Sequence, residues 1–246
     1  MLKLSTNSKK SRMLIAVTAI VLSLAVAVVA VFSLINCVKL YNSKQKIRNA
    51  VICIDPGHGF SDPGASNDNI SPYDESSINL AIAQKLRNSL ESHGYTAVLL
   101  HSGTEIPEGY DANNDGVFDV DERVAYSDSI GAQVYISVHC DSFASNENVN
   151  GTRIYYQLND NISCAALCAT IGESIDDARI NNRETLLKPM LEDDSFYVIK
   201  NRNNLASLLI ECGFITNRED AEKLTDPDYQ QSFANAVAIG IHSFCN

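Results

Sequence analysis

The first 50 residues contain no Asp or Glu, against eight Lys and Arg. Residues 13–36, MLIAVTAIVLSLAVAVVAVFSLIN, carry no charged side chain at all. A bilayer core takes roughly 20 helical residues, whereas a secretory apolar region runs roughly 7–15. The run is therefore predicted to be an uncleaved transmembrane anchor, with cleavage after Ala25-Val26-Ala27 as the signal-peptide alternative. Asn36 before Cys37 is not the small residue that a lipoprotein site requires. Four Lys or Arg lie on each side of the run, so charge excludes neither orientation. An N-terminal anchor followed by one soluble domain places that domain outside the cytoplasm.

Basic residues are scarce beyond the leader. Residues 51–246 hold 11 Lys and Arg against 30 Asp and Glu, a formal charge of −19. Such a domain lacks the cationic surface that nucleic acid needs. It suits divalent cations, or a substrate that is not strongly anionic. No CxxC pair occurs among the seven cysteines, and they form no even framework. Cys53, Cys140 and Cys212 lie in or beside apolar runs and read as small buried hydrophobes. No internal repeat or wall-binding repeat is present.

What remains divides into a basic N-terminal segment (1–12), the anchor (13–36), a polar stalk (37–49) and one domain (50–246), long enough for a single core. The domain alternates strand-like and helix-like segments. AVICID, YTAVLL, VYISVH, TRIYYQL and ASLLIEC read as strands, and FYVIK as a short one. Ile78, Ile82, Leu86 and Leu90 repeat every four residues within Asp74 to His93, a helical spacing that Gly94 stops. Further helices are predicted around Asp121–Ile130, over Ile162–Ala178, and from Asp226-Pro227, the last with Ala234, Val237, Ala238 and Ile241 on one face. Asn181–Ser195 reads as a surface loop that could host a short inserted helix. This alternation predicts an α/β sheet, largely parallel, with helices on both faces. Ligands of such sheets bind beyond the carboxyl ends of the strands.

Three apolar runs end there in chemistry-bearing residues. DPGHG places His58 after the first strand, SVHCDS places His139 after the third, and LLIECGF ends at Glu211. Glu75 falls in the first turn of the helix after DPGHG, where a carboxylate is favourable. A catalytic zinc site takes three ligands from His, Asp or Glu and keeps a fourth position open. His58, Glu75 and His139 supply that set, leaving Glu211 as acid/base. His101, after the second strand, is a rival ligand without a Pro-Gly turn to hold it. His93 and His242 fall near helix ends.

IDPGHGFSDPGA (54–65), ESSINLAIAQKL (75–86), DERVAYSDSIGAQVYISVHCDSF (121–143), GTRIYY (151–156) and YVIKNRNNLASLLIECGFITNRED (197–220) occur together in one order. In them the chain resembles the zinc-dependent N-acetylmuramoyl-L-alanine amidases of bacterial cell-wall turnover, the Amidase_3 family. The resemblance implies zinc ligands at His58, Glu75 and His139, with Glu211 as catalytic carboxylate. It implies a three-layer fold with a twisted, mostly parallel six-stranded sheet, and hydrolysis of the amide between muramic acid and L-alanine in peptidoglycan. Asp141 stands where the family often has Asn, His101-Ser102 where Thr-Arg is usual, and NLASLLIE lacks a common Pro. A membrane-anchored layout also resembles amidases that prepare the spore cortex. Two other readings are a zinc peptidase of related fold and a calcium-dependent wall-binding module with a vestigial site. Some family members are held inactive by an inserted helix, so a protein regulator belongs to the expectation.

One motif stands apart from this chemistry. DANNDGVFDVDE (111–122) fits a calcium loop, with Asp111, Asn113, Asp115, the Val117 carbonyl, Asp119 and Glu122 as oxygen ligands. Gly116 falls at the sharp turn and Phe118 at the apolar position. The loop is predicted to bind Ca²⁺ structurally, at the rim of the substrate groove.

Overall fold

The structure, a computed structural model, describes residues 5–48, 51–67, 74–111, 115–157, 162–181, 183–190, 196–200 and 206–245. The chain forms two compact units, Met1–Gln45 and Lys46–Asn246. The first is built on one helix, α1 (Ser5–Arg48), so most of the segment read as a stalk is helical. Its stretch Met13–Asn36 has a mean hydropathy of 3.0 and is long and apolar enough to cross a membrane.

The second unit holds six strands: β1 (Val51–Pro56), β2 (Thr96–Leu99), β3 (Val134–Asp141), β4 (Arg153–Gln157), β5 (Leu186–Met190) and β6 (Ala206–Phe214). They form one sheet in the order β2-β1-β3-β6-β4-β5. β1 pairs parallel with β2 and β3, β3 with β6, and β4 with β5, while β4 meets β6 antiparallel. A parallel return needs a crossover of a dozen or more residues, usually a helix. Residues 142–152 between β3 and β4 contain no helix, and β4 comes back reversed.

Alternation along the strands builds two cores. Ile52, Ile54, Ile136, Ile154, Leu208 and Ile210 face the helices α2 (Glu75–Ser92), α4 (Ile162–Asp177) and α6 (Pro227–Cys245). Ile78, Ile82, Leu86 and Leu90 of α2, and Ala234, Val237, Ala238 and Ile241 of α6, are all buried in that layer, as their spacing requires. Cys53, Tyr135 and Leu209 point the other way, beneath Tyr126 of α3 (Val120–Ser129). The result is the three-layer α/β fold with helices on both faces.

Three local expectations change. FYVIK is not a strand: Tyr197–Ile199 is a single turn of 3-10 helix. Val198 and Ile199 are both buried while Tyr197 is 66% exposed, a pattern that strand alternation does not produce. The surface-loop segment contains β5, an edge strand whose Leu186 and Leu187 stay exposed and which tolerates Pro189 because edges do. A short helix, α5 (Arg218–Leu224), follows β6, with the Asn217 side chain accepting from Asp220 N.

Candidate metal centre

The turn after β1 is built by close backbone approach. Gly57 N donates to Val138 O at 2.8 Å, and a Cβ at Gly57 would stand 2.2 Å from His139 Cε1. Only glycine admits the imidazole there. His58 itself sits at φ 64, a left-handed conformation costly for a non-glycine residue and typical of residues held for function.

His58, Glu75 and His139 converge. Their ligand atoms all lie within 4.8 Å of one another, and the group could hold a metal ion. Glu75 Oε2 is 3.2 Å from His58 Nε2, and Oε1 is 3.0 Å from His139 Nδ1. The two rings stand edge-on, with centroids 5.0 Å apart. Backbone and side-chain donors fix the carboxylate: Ala65 N at 2.9 Å, Cys140 N at 3.0 Å and Asn79 Nδ2 at 3.2 Å. Asp62 Oδ2 accepts from His58 Nδ1 at 2.7 Å, which orients the ring with Nε2 inward.

The electrostatics favour positive charge at this point. Burial alone would raise the pKa of Glu75, yet His139 and His58 hold the carboxyl well below its usual range. Burial would lower His58, yet Glu75 and Asp62 lift it to about 9. Two imidazoles and a carboxylate, converging where a cation is stabilised, are the donor set of a catalytic zinc site. The residues therefore fit the metal.

The last long strand does not stop at Glu211 as expected: β6 runs on to Phe214, and Glu211 lies within it as the register partner of His139. Only 8% of it is exposed, and its Oε2 has no hydrogen-bond partner among the described residues. Burial first, then the charges of Asp141 and Glu75, push its pKa well above the usual carboxylate value. Asp141 meets Arg153 Nη1 at 3.0 Å.

His101 lies elsewhere. Its Nδ1 accepts from Gly103 N at 3.0 Å, and its Nε2 is 2.8 Å from Pro56 O. Burial and the adjacent Arg123 push it down to about 4, so it stays neutral as a brace of the DPGHG turn. The rival ligand is therefore outside the three-residue group. His93 and His242 pack against one another at helix ends, with tilted rings whose centroids are 5.1 Å apart.

Sequence reasoning overlooked the network behind the site. Arg123 donates to Asp55 Oδ1 at 2.7 Å, Pro56 O at 2.9 Å and His58 O at 2.6 Å, clamping both ends of the turn. Tyr135 and Ser137 also donate to Asp55 Oδ2. Burial would raise the pKa of Asp55, but Arg123 and Tyr135 hold it below normal. The signal was an Asp ending a wholly apolar strand, since a buried charge demands a partner.

In the calcium-like loop, Asn113 lies outside the described residues. Asp111 accepts from Asp115 N at 3.0 Å and from Gly116 N at 3.3 Å, and Asp115 accepts from Val117 N at 2.8 Å. Asp119 and Glu122 form a reciprocal capping box on α3. Gly116 takes φ 74 at the sharp turn. Val117, Phe118 and Val120 wall a cavity of about 230 Å³ shared with His58 and His139, so the loop borders the site.

Fold and site thus define a three-layer α/β domain whose His58, Glu75 and His139 form a group able to hold a metal ion at one edge of the sheet. Comparison with known proteins narrows that class. Residues 52–243 match the Amidase_3 family, N-acetylmuramoyl-L-alanine amidase, and the chain belongs to it. YqiI of Bacillus subtilis, an uncharacterized protein, is 30% identical over 81% of this chain and 87% of its own length. The N-acetylmuramoyl-L-alanine amidase LytC of the same organism is 31% identical over 82% of this chain but 36% of LytC. The CwlD amidase of Clostridioides difficile, solved in complex with the GerS lipoprotein, superposes with a TM-score of 0.67. It is 31% identical, and the match covers 80% of this chain and 98% of that one. The protein is an amidase of the peptidoglycan-cleaving class.

Proposed function

We propose that His58, Glu75 and His139 hold a zinc ion, and that Glu211 moves the proton in hydrolysis of the bond between N-acetylmuramic acid and L-alanine. The observation that carries this reading is the convergence of three donor atoms within 4.8 Å beside a buried carboxyl, Glu211, whose Oε2 has no hydrogen-bond partner among the described residues. Zinc in such a site supplies Lewis-acid activation of water and of the scissile carbonyl. Glu211 accepts the proton of the attacking water and returns it to the leaving alanine nitrogen. A carboxyl whose proton affinity is raised by burial suits both transfers near neutral pH. Asp62 and Asn79 keep His58 and Glu75 oriented, and Arg123 keeps the turn rigid.

Glu211→Gln is expected to retain zinc while hydrolysis of purified peptidoglycan falls by roughly 10²–10⁴. Full activity in that variant sinks the assignment. His139→Ala is expected to lose bound zinc, and unchanged metal content would remove it from the ligand set.

The proposal places α1 in the cell membrane as a single span, with the catalytic unit outside the cytoplasm. Resistance to alkaline extraction supports this, and release of a shortened chain to the medium supports cleavage instead. Work on cell wall or spore cortex, and a protein partner of the kind CwlD has in GerS, belong to the same reading. Purification of the detergent-solubilised chain as a complex tests the partner, and a lone chain from sporulating and growing cells alike counts against it. Ca²⁺ in the 111–122 loop would be structural. Millimolar Ca²⁺ then raises the melting temperature of the zinc-loaded protein, and an equal rise in Asp111→Ala rejects the site.

A further inference from the structure

Arg153 and Glu211 occupy directly opposed positions of the antiparallel β4–β6 ladder. Side chains so placed are close neighbours on one face, and opposite charges there ordinarily pair. These two do not. Arg153 Nε and Glu211 Oε2 are both buried and both lack a hydrogen-bond partner among the described residues, although each is what the other needs. Two such orphans facing each other call for an explanation, because each costs stability.

The explanation lies two positions beyond His139. The register shifts between His139 and Asp141, bringing Asp141 level with Phe214 rather than Gly213. Arg153 Nη1 meets Asp141 Oδ2 at 3.0 Å, and the guanidinium lies over the Phe214 ring, 4.4 Å from its centroid. A carboxylate, an aromatic face and the Tyr155 hydroxyl thus hold the cation, which acts on Glu211 through its charge without a hydrogen bond to Glu211 Oε2 among the described residues.

We propose that Asp141 is a positioning residue that holds the Arg153 guanidinium off Glu211, leaving that carboxyl free to exchange its proton. The inference rests on the reading of Glu211 as the proton-transferring group. Without the Asp141 carboxylate, the anionic side chain directly across the ladder from Arg153 is Glu211. An ion pair with Glu211 would then occupy the oxygen that hydrolysis uses.

The test uses the full-length, zinc-loaded chain in detergent, acting on purified peptidoglycan. D141N is expected to lower kcat by at least about tenfold, a part of what a general acid/base contributes, with KM changed less than about twofold. Its zinc content stays that of the parent. D141N/R153L, which removes the cation as well, recovers to within about threefold of the parent. D141E, which keeps a carboxylate for the guanidinium, does the same even if D141N is too unstable to purify. Parental kcat in D141N, or zinc loss in D141N, overturns the proposal. So does a double variant as slow as the single one. E211Q separates the role of Asp141 from that of Glu211: its inactivity with an unaffected D141N rejects only the role of Asp141, whereas an active E211Q rejects both.

Discussion

At the residue scale, the site depends on groups held away from their ordinary proton affinities. His101 offers the cleanest consequence because it is outside the donor cluster. Its folded pKa is depressed to about 4 against an ordinary 6.5, since burial and Arg123 oppose its charge. The unfolded chain therefore binds more protons between these values. Stability attributable to neutral His101 is complete above about pH 6.5 and drains away as pH falls toward 4, by about 3 kcal/mol at most. With chelator present in both samples, denaturant titrations at pH 7 and pH 5 are expected to show a steeper loss in the parent than in His101→Asn. Equal losses would reject a buried neutral imidazole. His58, His139 and Glu211 were legible because each is the polar residue that interrupts an apolar run toward one edge of the sheet, although β3 and β6 continue past His139 and Glu211. Arg123 was not, since it reaches Asp55 across 68 positions and neither residue signals the other locally.

At the scale of elements, period and punctuation specified most of the fold. The four-residue spacing in α2 and the apolar face of α6 settled which sides are buried before packing was known. FYVIK failed because five residues give too short a window to separate a strand from one helical turn. β5 failed because an exposed edge strand carries no alternation to read. Close packing of α6 on α4 was equally silent. A Cβ at Gly240 would lie 2.5 Å from Ile171 Cα and 2.8 Å from Thr170 O, both backbone-linked and unable to rotate aside. Gly240→Ala is thus expected to destabilise the domain by about 1–3 kcal/mol, despite its better helix propensity. A melting temperature at or above the parent's would show that the helices separate freely. Cys140, Cys168, Cys212 and Cys245 are buried free thiols, and Cys53 and Cys164 are buried as well.

At the scale of the whole molecule, the chain joins an uncharged 24-residue helical stretch to residues 51–246, which carry a formal charge of −19. The family and the general fold were readable from motif order. The arrangement that frees Glu211 was not, because it depends on a register shift and on a ring beneath a guanidinium. The most direct test of the central claim is digestion of purified peptidoglycan by the full-length protein, apo and zinc-reconstituted, with analysis of the new termini. The account expects new N-terminal alanine and peptide-free muramic acid only in the zinc-loaded sample. Equal release by the apo protein, or new termini within the stem peptide while the muramoyl bond stays intact, would contradict it.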